Sequence, residues 1–216
     1  MHNNDPRVVE KTKPVEQLSF NEAAELAYFG AKILHPASIW PAQQYNIPVK
    51  LLNTMQPDKK GTTITGKTIR SGVKAIAAKD GITMVRIKCD RMLLAYGFLR
   101  KVFGIFEKHE TSIDMVTTSE VAISLTIDDN RRLKQIIKEL QPFSVVETDH
   151  SKTIIAVVGH EIATDKDLLT RLFNCLPNLP VQMVSFGGSP HNISLLIPTK
   201  IKKETLQQLN SGLFDM

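Results

Sequence analysis

Cysteine is nearly absent: the 216 residues hold two, Cys89 and Cys175. They form no CxxC pair and no disulfide framework, so a disulfide-stapled secreted domain is excluded and a cytoplasmic location is expected. No apolar run approaches the roughly 18–20 residues of a membrane helix, and the polar N-terminus has no signal-peptide pattern, so no membrane partner is expected. Aromatic residues make up only 6%. They are not interleaved with basic ones, as a stacking platform for nucleic acid would require. The net charge of +5 is spread over predicted helix faces such as Arg131-Arg132-Leu133-Lys134. That is a solvated basic surface, and no nucleic-acid partner is expected. His160 and His191 have no third ligand at a recognisable spacing, so no metal site is expected. Ser185-Phe186-Gly187-Gly188-Ser189 lacks the Lys-Ser/Thr that completes a phosphate loop.

What is present is a repeat. Residues 83–128 read strand, helix, strand, strand: TMVRIKC, GFLRKVFGIFEKHE, SIDMVTTS, EVAISLTID. Residues 153–199 give the same order: TIIAVVG, DLLTRLFNCLP, VQMVSFGG, HNISLLIPT. Each copy is followed by a polar helix, NRRLKQIIKEL in the first and KIKKETLQQLNSGLF in the second. A repeat fixes an architecture before any residue is interpreted. This one is a small paired βαββα module.

The first 70 residues differ. Residues 1–18 are polar and aperiodic. Ser19-Phe20-Asn21-Glu22 has the form of a capping box and opens a predicted helix, NEAAELAYFGAKIL, that His35-Pro36 ends. A second helix, about ASIWPAQQYN, and a strand, PVKLLN, follow; MQPDKKGTTITG reads as a loop. This is too little apolar surface for a core of its own, so the segment is expected to be the tail of a larger domain.

LSFNEAAELAYFGAKILHPAS and MLLAYGFLRKVFGIFEKHETSIDMVTTSEVAISLTID are specific strings. With DPRVV before them and SFGGSPHNISLLIP and LNSGLFDM after them, they closely resemble the C-terminal half of aspartokinase, of the lysine-sensitive, monofunctional type. The resemblance runs from about Asp5 to the last residue. It implies an α/β (α+β) fold of two interlocked ferredoxin-like βαββαβ ACT modules, preceded by the C-terminal remnant of an amino-acid-kinase domain. The expected divisions are 1–70 for the remnant, 80–149 for the first module and 150–216 for the second. An ACT module has four strands. The first copy finds its fourth in SVVETD (144–149); the second runs out of chain, so the unassigned strand VKAIAA at 73–78 is expected to complete it.

The same resemblance implies a function. The parent enzyme would be an aspartate kinase, moving a phosphoryl group from ATP to L-aspartate with Mg²⁺, and L-lysine would inhibit it from the ACT modules. The kinase opening, Lys-Phe-Gly-Gly, is not in this sequence, so the fragment alone is expected to hold no catalytic residue, cofactor or activity. Arg7 and Lys32 match positions that contact ATP in the family. The alternative is a stand-alone amino-acid-binding subunit with no kinase in cis. By resemblance, Met92, Gly97, Phe98, Leu99, Ser112, Ile113, Asp114, Thr118, Ser119 and Glu120 form the lysine pocket. The physics agrees with the residue types. A helix start at Gly97 can hold a carboxylate. An acid such as Asp114, read as lying near that start, can hold an ammonium, and a second acid such as Glu120 favours lysine over a neutral side chain. Leu94 and Ala95 stand where the lysine-sensitive pattern has polar residues, which leaves threonine as the alternative effector. The second copy has Gly159-His160-Glu161-Ile162 at the corresponding turn and no Gly-Phe-Leu, so one site per chain is expected. His160, His191 and Asn192 are the candidates for a second. Association through the ACT modules as a homodimer is expected.

Overall fold

A computed structural model describes residues 1–31, 34–67, 71–89 and 96–214. Lys32 and Met92, along with Leu94 and Ala95, lie outside the described residues. The chain forms two compact units: Asp80–Thr153, and Met1–Lys79 with Ile154–Met216.

The Asp80–Thr153 unit is one module. Its strands stand in the order β5 (Val116–Thr118), β6 (Ala122–Ile127), β4 (Gly72–Lys88), β7 (Val145–His160). β4 runs antiparallel to β6 with Thr83 opposite Ile127 and Lys88 opposite Ala122. β5 runs antiparallel to β6 with Thr118 opposite Ile123. Helices α3 (Phe98–Lys108) and α4 (Leu133–Leu140) bury one stripe each. In α3 the stripe is Phe98, Val102 and Phe106; in α4 it is Leu133, Ile136 and Leu140. These are the spacings of a single helix face. They pack on Val85, Ile87, Ile123, Leu125 and Ile127. On the outer side, Lys88 and Arg86 of β4 meet Glu147 of β7 at 2.6 and 3.4 Å.

The other unit carries the second module. Its strands stand in the order β4, β7, β9 (Asn192–Pro198), β8 (Met183–Ser185), with helices α5 (Leu168–Asn174) and α6 (Lys202–Phe214). β4, the strand that contains the 73–78 stretch, neighbours β7. The sequence reading treats 73–78 and 83–89 as separate strands, as it does 144–149 and 153–159. The structure makes each pair continuous, as β4 and β7. The cause is local: Gly81 (φ 79°) and Ser151 (φ 57°) are left-handed residues accommodated inside the strands. Their sequence neighbourhoods, KDG and DHS, carry ordinary turn signals.

The first 70 residues share this unit with the second module. Strand β1 (Gln17–Ser19) lies parallel to β3 (Thr62–Thr65), and β3 lies antiparallel to β2 (Val49–Leu51). The 62–65 stretch, read as loop, is thus the middle strand of three. Its alternation is hidden because Thr62 and Ile64 are the buried pair. Helix α1 (Phe20–Tyr28) starts at the expected capping box: Glu22 N donates to Ser19 Oγ (3.2 Å) and Ser19 N donates to Glu22 Oε2 (2.6 Å). It stops earlier than expected. Gly30 turns left-handed (φ 94°) and Ala31 N donates to Leu26 O, a Schellman closure. His35 does not end α1; it caps α2 (Pro36–Gln44), its Nδ1 accepting from Ala37 N at 3.2 Å. The N-terminal segment docks on the second module. Asn3 O accepts from Ile76 N of β4 (2.8 Å). The side chains of Asn3 and Asn4 donate to Asn210 of α6, whose own amide donates to Lys11 O. All three asparagines are buried, and Val9 joins the α5–α6 core.

Candidate functional site

The candidate residues of the first module fall at two ends of it. Gly97 (φ 83°, ψ 8°) precedes the first turn of α3 and, being glycine, brings no side-chain cap to it. Its left-handed backbone favours glycine, since an L side chain adopts it at a cost. Among the described residues, its chain neighbours apart, no atom lies within 4 Å of where a Cβ would stand. β4 ends at Lys88, and Cys89 N donates to Val121 O (3.0 Å). That bond places the β5–β6 turn, Ser119–Val121, at the same end of the sheet. Thr118, Ser119 and Glu120 are all exposed there. Ser119 spends its polar groups on the turn: its N and Oγ both donate to Ala122 O, at 2.8 and 3.4 Å.

Ser112, Ile113 and Asp114 lie at the other end. α3 has 11 residues, so its ends stand about 16 Å apart. Asp114 follows the C-terminal end by six residues, and its N donates to Thr126 O at the far end of β6. Met115 N donates to the Thr126 hydroxyl, which fixes the entry into β5. The reading of Asp114 as a neighbour of the helix start is therefore corrected: within one chain, the intervening helix separates them. Phe98 belongs to the expected helix-start site through its backbone. It is 7% exposed and its ring packs edge-on against Phe143, so it offers the site only its backbone. Leu99 is 42% exposed. Tyr96, which the sequence reading passes over, is exposed beside Gly97. Its signal in the sequence is only its place before the Gly-Phe-Leu turn.

A second candidate region is a cavity of about 430 Å³ lined by Asp5, Arg7, Leu26, Ala31, Ile76 and Leu206 among others. Arg7 is ion-paired with Asp5 at 2.8 Å, and that guanidinium holds the Asp5 carboxyl below the usual range. In the second module, the turn after β7 opens a short 3₁₀ turn (Ile162–Thr164) and a seven-residue helix. His160 and His191 stack with ring centroids 5.5 Å apart, and Asn192 donates to Glu25 Oε2 of α1 (3.2 Å). Among the described residues no group of three or more His, Cys, Asp or Glu could hold a metal, and no helix is long and apolar enough to cross a membrane. Burial pushes the Cys175 thiol up, away from reactivity.

A model of the amino acid kinase family matches residues 1–53, and a model of the ACT domain matches residues 155–213. A chain described as a C-terminal regulatory domain of aspartate kinase from Porphyromonas gingivalis is 41% identical. The match covers 96% of that chain and 65% of this one, with a TM-score of 0.59. The chain belongs to the aspartokinase family. It covers the C-terminal regulatory part of aspartokinases. The lysine-sensitive aspartokinase 3 of Escherichia coli is 33% identical over the whole of this chain and half of its own length. The chloroplastic aspartokinase 3 of Arabidopsis thaliana is 39% identical over 98% of this chain and 40% of its own length. The chain thus spans about half the length of the curated aspartokinases it matches. The crystal structure of Escherichia coli aspartokinase III with aspartate and ADP (R-state) overlays 99% of the chain, and half of its own, at a TM-score of 0.92 and 33% identity. Its complex with lysine and aspartate (T-state) overlays 99%, and 49% of its own, at 0.86 and 32% identity.

Proposed function

We propose that this chain is the lysine-sensing regulatory portion of an aspartate kinase. The parent enzyme would transfer the γ-phosphoryl of ATP to the β-carboxylate of L-aspartate, with Mg²⁺ screening the phosphates. In this reading, 1–70 is the remnant of the kinase domain, 80–149 is the first ACT module, and 150–216 with strand 73–78 is the second. Arg7 and Lys32 serve as partial ATP contacts, and the enzyme is cytoplasmic. Lysine inhibits by binding the inactive arrangement more tightly than the active one. The observation that carries the reading is the α3 start at Gly97, left-handed, exposed and at the same end of the module as Glu120. That end supplies free N–H groups for a carboxylate and a carboxylate for an ammonium.

Asp114 enters from a second copy. β5 is the edge strand of its sheet, and Val116, Thr117 and Thr118 are exposed. Two copies paired antiparallel through β5 about a two-fold axis would set Asp114 of one against the Thr118–Glu120 end of the other. Leu99 and Phe103 of α3, 42% and 38% exposed, supply apolar surface for the same contact. The complete pocket therefore exists only in the homodimer, with the lysine α-ammonium at Asp114 and its side-chain ammonium towards Glu120.

The relative Escherichia coli aspartokinase III is seen bound to lysine, which supports lysine over threonine as the effector. A thermal shift tests the proposal. A ligand that binds only the folded state at 100 times its Kd stabilises it by about 2.7 kcal/mol. L-Lysine should raise the unfolding midpoint by several degrees, and L-threonine at the same concentration should raise it less. No shift with lysine would overturn the effector assignment.

A further inference from the structure

We propose that Asn4 is a positioning residue for the nucleotide site, tying the Asp5–Arg7 pair to helix α6 of the second module. The inference rests on the reading of Arg7 as an ATP contact given above. The tie is a run of hydrogen bonds within one unit of the fold. The Asn4 side-chain amide donates to Leu206 O (3.3 Å) and to Asn210 Oδ1 (3.4 Å), both on α6. Its Oδ1 accepts from Asp5 N (2.9 Å). The Asp5 carboxylate in turn accepts from Arg7 N (3.0 Å), Arg7 Nε (2.9 Å) and a terminal guanidinium nitrogen (2.8 Å). The run starts buried, with Asn4 4% and Asn210 2% exposed, and ends in solvent at Arg7. Asn4, Asp5, Arg7 and Lys202, the first residue of α6, line the same cavity of about 430 Å³.

The residue type points to alignment and not to adhesion. Apolar groups of the same shape would join the two segments at little cost in stability. Three buried amides require that each donor meet its acceptor, and so admit one arrangement of the segment on α6. Asn3 and Asn210 complete it: Asn3 donates to Asn210 Oδ1 (3.1 Å), and Asn210 donates to Lys11 O (2.8 Å). Asn4 is the one of the three whose side chain bonds Asp5. The Asp5 fork sets the direction of the Arg7 guanidinium, and a guanidinium already aimed meets a phosphate at less cost in orientation. A displacement of α6 therefore displaces Arg7. By reciprocity, nucleotide held at Arg7 bears on α6. The second module thus acts on the nucleotide site without needing an effector of its own.

NMR of the full chain tests this with two alanine variants. Wild-type Asp5 titrates below the ordinary carboxylate range, because the Arg7 guanidinium bonds it and Lys202 adds its charge in the same direction. Asn4→Ala should move that titration up towards the ordinary range. It should also weaken ATP about two- to ten-fold, read from the Arg7 Nε–H resonance. Asn3→Ala removes an equally buried amide from the same network and should leave the Asp5 titration in place and ATP within two-fold. Equal changes in the two variants would overturn the proposal, since the network would then be structural only. An unmoved Asp5 in folded Asn4→Ala would overturn it too. Should Asn4→Ala fail to fold, Asn210→Ser loosens Asn4 from the α6 side and carries the same expectation in smaller measure. A wild-type Arg7 resonance that ignores ATP would instead overturn the nucleotide reading on which the inference stands, and the Asp5 titration would still separate Asn4 from Asn3.

Discussion

Replacing Asp114 by asparagine removes a charge and keeps the shape. If Asp114 holds the lysine α-ammonium, the loss is one charge-assisted bond, worth roughly 1.5–3 kcal/mol, or about ten- to a hundred-fold in affinity. Titration calorimetry should show that loss for lysine and for threonine alike, because both carry the α-ammonium. Glu120→Gln should weaken lysine more than threonine. A second residue-scale prediction concerns acid. Glu139 of α4 takes Lys108 Nζ at 2.8 Å and His109 Nε2 at 2.8 Å, both at the end of α3. The lysine bond, and then the histidine bond, hold the Glu139 carboxyl below its ordinary value. A depressed carboxylate stabilises the fold above the unfolded value, about 4.3, and loses that contribution as pH falls through the folded one. Glu139→Gln should therefore lower the unfolding midpoint at pH 7, and the difference from wild type should close below pH 4 when melts are recorded across pH. At this scale the sequence was informative where a rule is local. Ser19 and Glu22 were legible as a capping box because both partners lie within four residues. The separation of Gly97 from Asp114 was not legible, because it follows from the direction of β5 and not from either residue.

Among the elements, α1 depends most on its two ends. Ser19→Ala removes the acceptor for the Glu22 amide and should cost about 1 kcal/mol. Gly30→Ala should cost more. Residue 30 sits at φ 94°, and an added Cβ would stand 2.6 Å from the carbonyl oxygen of Ala78 on β4. Strained backbone of this kind costs of order 1–3 kcal/mol, and the close approach adds to it. Urea melts of the two variants should rank Gly30→Ala as the less stable; the reverse order would mean that the loop yields freely. The strand–helix order of both repeats was readable because hydrophobic periodicity changes from two to 3.6 within each copy. β3 escaped notice because its alternation runs through threonine. The continuity of β4 and β7 escaped because a left-handed residue inside a strand and one in a turn leave the same mark in a sequence.

At the scale of the whole molecule, an edge strand of exposed residues needs a partner or a guard. β5 is short, but it carries no proline and no charged residue that would blunt it. A homodimer through β5 is the expected state at tens of micromolar, and sedimentation equilibrium should find it. Val116→Lys, at a position 38% exposed, should leave the fold intact and shift the protein towards monomer. If the pocket draws Asp114 from the second copy, the same variant should also lose lysine. Equilibrium dialysis against labelled L-lysine tests the central claim most directly. The proposed function predicts saturable binding of one lysine per chain, two per dimer, displaced more readily by unlabelled lysine than by threonine. No retained lysine at millimolar concentration, or readier displacement by threonine, would contradict it.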